Sequence, residues 1–457
     1  MDATTAQREP RYLEERFERA SVDELRTHQL RSVRELLAGV QASNAFYREL
    51  WRSHGADIDA VTSLEEFTAR IPYVTKSDFL ADQQAAPPYG RRHEQSLATP
   101  GARLLSTTSG TSGRGQEVHL QTAREMDGMG HVYSYGYRWA GLQPGEDLAL
   151  AMPLTMLGGG RLEFHGAQAY GLGVLAIGND DADRKVEVLR RFAPAGLIGM
   201  TAYLGRLGAA LGGDPPPGMR AVMTGGEGAG FEWLLRLEGA WNAAVHDRYG
   251  SSQAGNDHAF TCEHGIGTAE RPGMLHNIDP YVLTEVIDPA TGRHVADGEA
   301  GEIVVTILYR HDAPIIRCRM GDRAVYRSPR YCACGRPFGG FEVATIGRMD
   351  DMRKVKGINV WPSAIDDVVF AFPAISDYQV VLETGPAGQE RAGLRVLCDT
   401  ADPVATELMR EQVARSVEER LGIRFAVEAL EPGALEQVEW KAKRWVDRRD
   451  HVADRQV

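Results

Sequence analysis

Between residues 147 and 250 the chain carries five short apolar runs: DLALAMP (147–153), GLGVLAIG (171–178), GLIGM (196–200), MRAVMTGG (219–226) and AAVHDRYG (243–250). Each gives way to glycine or a polar turn, and helical stretches such as RKVEVLRRFAP (184–194) lie between them. Strand–helix alternation of this kind predicts an α/β fold, a mostly parallel sheet covered by helices, with ligands taken up where the strands end. C-terminal to this block, YVLTEVIDPATGRHVADGEAGEIVVTIL (281–308) reads as antiparallel hairpins turning at DPATGR and ADGEAGE. After Arg348 a smaller α+β unit begins, with the DDVVFAF helix, strands at QVVLE and LRVLCDT, and a charged helix ELMREQVARSVEERL. N-terminal to the block, residues 20–75 read as helices, and Ser63 followed by Glu66 has the spacing of a capping box. GGDPPPG (212–218) reads as a surface turn.

The chain has 457 residues, 43% hydrophobic and 25% charged, which suits a soluble protein of two or three domains. Lys+Arg 51 against Asp+Glu 63 gives a net charge of −12. That balance argues against nucleic acid or an anionic membrane as partner. Five cysteines, an odd number, make no disulfide framework and point to a reducing cytoplasm. The charged N-terminus lacks the apolar core of a signal peptide, and no run of about 18 apolar residues is present to span a membrane. A homodimer is compatible with the sequence, which fixes no oligomeric state.

The sharpest chemical signal is STTSGTSGRGQEV, residues 106–118. Hydroxyls crowd it, and its glycines free the backbone to turn amide groups toward a phosphate chain. No Gly-Lys-Ser/Thr follows at Walker A spacing, so it is not that loop. Four further segments follow in order: MTGGEG (223–228), DRYGSSQAG (247–255), RCRMGD (317–322) and IGRMDDMRKVKGINVWPSAID (346–366). Each alone reads as a turn. In this order and at these distances they resemble the acyl-adenylate-forming superfamily, and within it the phenylacetate–CoA ligase-like subfamily. ASNAFYREL, PYVTKSDF, PIIRCRMGD, CACGR and the ending EWKAKRWVDRR carry the narrower likeness, which spans nearly the whole chain.

The resemblance implies a large N-terminal domain (1–347) and a small mobile C-terminal domain (348–457) that swings about Asp350. Ser109, Gly110, Thr111, Ser112 and Gly113 would hold the β,γ-phosphates of ATP. Gly225, Gly226 and Glu227 would line the adenine, with Tyr249 stacking on it, and Asp247, Gly250, Ser251 and Ser252 would also belong to the cofactor site. Asp322 would accept both ribose hydroxyls and Arg348 would reach the ribose or α-phosphate. Lys356 and Gly357, with Ile358, would enter the site after the pivot and line a pantetheine tunnel. Lys441 would contact the reacting carboxylate and α-phosphate, the match of EWKAKR selecting it over Lys443.

Two departures stand out. Arg114 occupies a position where the family often has Lys. Gln253 stands where the family usually has a Glu associated with Mg²⁺, and an amide supplies no charge to a hard cation, leaving Mg²⁺ mostly to phosphates and water. Separately, Cys262-Glu263-His264 and Cys332-Ala333-Cys334 offer a Cys₃His set suited to structural tetrahedral Zn²⁺, and the resemblance places zinc there in some members. Cys318 and Cys398 lie in apolar strands as core residues.

By resemblance the acyl pocket lies between the helix bearing Tyr133, Tyr135, Tyr137 and Trp139, the MLGGG turn (156–160, with Gly158 and Gly159), and GMTAYL (199–204, with Thr201). Residues two apart do not share a helix face, and Tyr135 is taken as the pocket residue. The implied function is ATP-dependent activation of an aromatic or arylacetic acid to acyl-AMP and transfer to coenzyme A. Thr111, Gln253 and Lys441 would carry catalysis. An adenylating enzyme with another acceptor (carrier protein, amine or inorganic nitrogen nucleophile) and a non-catalytic nucleotide-binding homologue are the alternatives.

Overall fold

The computed structural model describes residues 9–108, 115–385, 388–398, 402–431, 434–435 and 444–449. Ser109, Gly110, Thr111, Ser112, Gly113, Arg114, Lys441 and Lys443 lie outside the described residues.

All five apolar runs form strands of one sheet. In space they lie in the order Gly173–Ala176, Asp147–Leu150, Gly196–Met200, Ala221–Gly225 and Ala244–Ser251, all parallel. The order reverses at Asp147–Leu150, whose successors in the chain lie on its two sides. This is the switch point outside whose strand ends an α/β sheet opens a ligand crevice. Alternation along each strand decides the packing. Leu148, Leu150, Ile198, Ala221 and Met223 face the helices Ala123–Ala140 and Gly158–Tyr170. Ala149, Leu197, Val222 and Val245 face Ala182–Phe192, Thr201–Ala210 and Phe231–Trp241.

Beyond Ala244–Ser251 the sheet turns antiparallel, through Asn256–Thr261, Met274–Asn277, Gly340–Glu342, Cys318–Arg327, Ala300–Ile307 and Val282–Ile287. The segment read as several hairpins is one strand pair, Val282–Ile287 with Ala300–Ile307, both turns lying in its connection.

The N-terminal helices are Val22–Ser43, Ala45–Ser53 and Leu64–Arg70. The expected Ser63 capping box forms only half. Ser63 Oγ accepts from Glu66 N at 3.1 Å, but the Glu66 carboxylate turns to Thr62 N at 2.7 Å. Full boxes close at Ser21/Glu24, Thr75/Asp78 and Thr122/Glu125.

The C-terminal part is smaller and α+β. Ile375–Thr384 and Glu390–Cys398 pair antiparallel, flanked by Trp445–Arg448 and Ala426–Leu430 in parallel, with helices Pro362–Val369 and Pro403–Leu421. It meets the large part through the Trp233 and Phe370 rings, 4.2 Å between centroids, and through Arg236, which donates to the Phe372 and Ile375 carbonyls. Arg444 reaches Asp366 at 3.2 Å and Asp377 at 3.0 Å while lying 5.4 Å from the Trp233 ring. Among the described residues no helix is long and apolar enough to cross a membrane.

Candidate active site

The site gathers at the ends of the parallel strands. After Ala221–Gly225 the chain turns through Gly226, and the Glu227 carboxylate accepts from Ala202 N at 2.7 Å. This charge sits at the start of helix Thr201–Ala210, where an N-terminus favours an anion. Thr201 is buried, and its hydroxyl has no partner among the described residues.

Next door, Asp247 accepts from Thr224 Oγ1 and from Arg248 N, both at 3.0 Å, and burial pushes its carboxyl up to about 6. Tyr249 points to the opposite face from Arg248. Its hydroxyl donates to Asp322 Oδ2 at 2.9 Å, and its ring stands edge-on to His258 and Phe341. Burial, followed by the Asp322 charge, raises the Tyr249 hydroxyl well above the usual phenol range, so it stays a donor. Asp322 Oδ1 meets Arg348 Nε at 3.3 Å, on a two-residue strand in register with it, and Arg348 also reaches Asp350 at 3.8 Å.

The Ser/Thr segment is anchored at both of its described ends. Thr108 N donates to Glu117 O at 3.0 Å and Glu117 N donates to Thr108 Oγ1 at 3.0 Å, where strands Arg103–Thr107 and Val118–Thr122 close. Thr107 N bonds Met156 O at 2.9 Å, which sets the MLGGG turn beside the segment. Gly158 there abuts Ser106, and Gly159 abuts Met152.

The turn after Tyr249 folds tightly. Ala254 N donates to Ser251 Oγ at 2.9 Å, and Gly255 N to the carbonyls of Ser251 and Ser252. Gly255 has φ +74°, and a Cβ there would fall 2.4 Å from Gln121 Nε2 and 2.6 Å from Arg310 Nη1. Those two side chains clamp the turn: Gln121 donates to Gly255 O at 2.6 Å, while Arg310 donates to Ala254 O at 3.2 Å and Leu120 O at 2.9 Å. Gln253 is thereby held inside, 7% exposed, with Nε2 3.5 Å from Glu117 Oε1. Burial pushes the Glu117 carboxyl up to about 6.

Gln121, Arg310 and Glu117 border the candidate site and were not singled out in the sequence. Glu117 alone left a signal, a charged residue inside the quoted loop segment.

Lys356 (φ +47°) and Gly357 (φ +86°) are the two central residues of a tight hairpin between Arg353–Val355 and Ile358–Val360, a conformation that asks for glycine. Both are exposed, and Lys356 Nζ donates to Arg424 O at 2.6 Å within the C-terminal part. Asp350 lies on the exposed link Met349–Asp351.

Two expected residues are displaced. Tyr135 faces away from the expected pocket side: its hydroxyl donates to Glu14 at 2.6 Å, and its ring packs with Trp139, Tyr281 and Phe338, while Tyr133 and Tyr137 lie in a different cluster. The reason is the 100° step between helix residues, which turns 135 and 139 away from 133 and 137. His264 is not in the cysteine cluster. Cys262, Cys332 and Cys334 come together with His276 instead, their ligand atoms all within 4.8 Å of one another. Strand pairing sets Thr261 opposite Leu275, which brings His276 beside Cys262. Cys262 Sγ lies 3.7 Å from Cys332 Sγ, and Cys334 Sγ lies 3.5 Å from His276 Nε2. Tetrahedral zinc with ordinary bond lengths gives edges of about 3.8 and 3.6 Å. His276 Nδ1 lies 3.3 Å from Phe338 O, a hydrogen bond that leaves Nε2 for a metal.

The chain is 28% identical over 444 residues to the phenylacetate-coenzyme A ligase of Pseudomonas putida, covering 95% of this chain and 96% of that one. It is 26% identical over 454 residues to the phenylacetate-coenzyme A ligase of Thermus thermophilus, covering 93% and 97%. Its fold matches that of 2-hydroxyisobutyryl-CoA ligase in the postadenylation state with R3-HIB-AMP, with TM-score 0.86, 24% identity, and 96% and 93% of the chains covered. Against the same ligase with 2-HIB-AMP and CoA in the thioesterification state the TM-score is 0.68, at 23% identity and the same coverage. A model for the C-terminal domain of AMP-binding enzymes matches residues 357–449, and one for the AMP-binding enzyme itself matches residues 28–306. The chain belongs to the AMP-binding enzyme family.

Proposed function

We propose that this protein activates an aromatic or arylacetic carboxylic acid with ATP and passes the acyl group to coenzyme A. The observation that carries the reading is the Tyr249–Asp322–Arg348 chain at the end of Ala244–Ser251, joined to the Ser/Thr-loop anchor through the Gln253–Glu117 contact. Asp322 and Arg348 orient the ribose, Tyr249 and the Gly225–Glu227 turn border the base, and the loop takes the phosphates. One carboxylate oxygen attacks the α-phosphorus, the α–β P–O bond breaks, and pyrophosphate leaves. The CoA thiolate then attacks the acyl carbon of the mixed anhydride, and AMP leaves with the C–O electron pair. Positioning and charge compensation carry both steps, so no protein nucleophile is needed.

Residues 1–347 and 348–457 act as two domains joined at Asp350. Arg444 fastens the chain three residues after Lys441 against Trp233 of the large domain, which supports delivery of Lys441 to the adenylating carboxylate in this arrangement. Rotation about Asp350 would carry the Lys356-Gly357 hairpin to the site for the second step.

Mg²⁺ would screen the phosphates, and oxygen donors at Gln253 and Glu117 suit such a hard cation. The Cys262–His276–Cys332–Cys334 set fits a structural zinc with no open position, and its reduced thiols suit a cytoplasmic enzyme. The test is incubation with ATP, CoA and a panel of arylacetic and aromatic acids. Acid-dependent AMP and thioester in equal amounts support the reading; ADP, or AMP without thioester, would sink it.

A further inference from the structure

Glu117 is a carboxylate in a place that asks for a reason. It is 1% exposed, next to the Ser/Thr loop, and its Oε2 has no hydrogen-bond partner among the described residues. Lys76 Nζ lies at 3.8 Å, too far for a hydrogen bond and itself partly exposed, and the buried Arg92 guanidinium acts on the carboxylate through its charge without hydrogen-bonding to it. A buried charge of this kind is costly unless something completes it. Its other oxygen, Oε1, accepts from the Gln253 amide. A carboxylate can only accept from that amide's NH₂ end, so Glu117 fixes which way the amide points and turns Gln253 Oε1 toward another partner. The pair therefore presents one charged oxygen and one amide oxygen beside the phosphate loop.

We propose that Glu117 and Gln253 together seat the divalent cation that accompanies ATP, Glu117 supplying the charge that residue 253 lacks. Hard cations take oxygen ligands, and at least one anionic donor raises their affinity for a site. Gln121 and Arg310 serve this seat indirectly, because their clamp on the 254–255 carbonyls holds Gln253 against Glu117. The inference rests on the ATP-binding reading above.

Its test is Mn²⁺ binding, read by electron paramagnetic resonance with α,β-methylene-ATP present, so that no turnover enters the measurement. Glu117→Gln should weaken Mn²⁺ binding about 10- to 100-fold, the range for losing a residue that tunes a metal site. Binding of the analogue without metal should be unchanged. Moving the charge, Glu117→Gln with Gln253→Glu, should restore most of the affinity. Gln253→Glu alone should tighten Mn²⁺ binding and lower the melting temperature of the metal-free protein, since two carboxylates then face each other. Equal Mn²⁺ affinity in the wild type and Glu117→Gln, with the analogue bound by both, overturns the proposal. If Glu117→Gln does not fold, unchanged Mn²⁺ affinity in Gln253→Glu overturns it. No analogue binding by the wild type overturns the ATP reading and this inference together.

Discussion

The strand Ala244–Ser251 carries two charged clusters on its two faces, and they differ in how complete they are. On one face Arg248, 5% exposed, is closed in by Glu163 and by Asp257 at 3.2 Å, and Glu163 also accepts from Tyr137. On the other, Tyr249 leads to Asp322 and then to Arg348, whose side chain is 53% exposed. The first cluster uses its charges up internally. The second ends in an arginine half in solvent and, across the turn, in a Glu117 oxygen with no hydrogen-bond partner among the described residues. A closed cluster costs desolvation and returns a fixed geometry, whereas an open one holds its remaining capacity for something that arrives. Two adjacent residues, Arg248 and Tyr249, thus face the closed scaffold cluster and the proposed site respectively.

Substitutions can break this contrast, and the largest effect is expected from the residue that would finish the open side. Lys441→Ala should slow acyl-AMP formation by about 100-fold or more, while thioester formation from supplied acyl-AMP stays near wild type. Equal loss in both half-reactions, measured by quenched flow, would assign the lysine to structure and make Lys443 the next candidate.

On the closed side, Arg248→Met leaves Glu163 and Asp257 buried without their cation. It should cost about 3–5 kcal/mol in urea unfolding. A variant of wild-type stability that loses only ATP affinity would mean that the two faces had been read the wrong way round.

A third cluster is closed in this sense only if metal completes it. Purified protein should hold about one zinc per chain. Cys332→Ser, or chelation, should remove it and lower the melting temperature, with His276→Ala acting alike and His264→Ala without effect. Metal analysis that finds no zinc in protein never exposed to chelator rejects the site.

The smallest effect sharpens the contrast most. Asp322→Asn should raise KM for ATP about tenfold by losing a charged acceptor, yet leave urea unfolding nearly unchanged, because an asparagine oxygen still accepts from Tyr249 and Arg348 is half in solvent. A matching loss of stability would make Asp322 part of the scaffold.

What was legible in the sequence follows from the range of each interaction. The parallel strands could be read because burial on both faces writes itself as a continuous apolar run. The helix at 182–192 was visible from its 3.6-residue period, and Asp181 caps it. His276 was not legible, because it meets the cysteines through antiparallel register, and the Cys-x-His spacing at 262–264 offered a nearer histidine. Tyr135 failed for a related reason: alternate aromatic residues on one helix look equivalent in sequence, and only Glu14, 121 residues away, decides which face holds it. Arg310 and Gln121 had no local signal at all, since both act on carbonyls of a turn formed elsewhere in the chain.

In the proposed reaction the acid's own oxygen attacks the α-phosphorus of ATP. Turnover of an arylacetic acid labelled with heavy oxygen in its carboxylate tests this directly, by mass analysis of the products. AMP should carry a single labelled oxygen and pyrophosphate none. Label in a phosphate derived from the γ-position, or unlabelled AMP released alongside thioester, would contradict it.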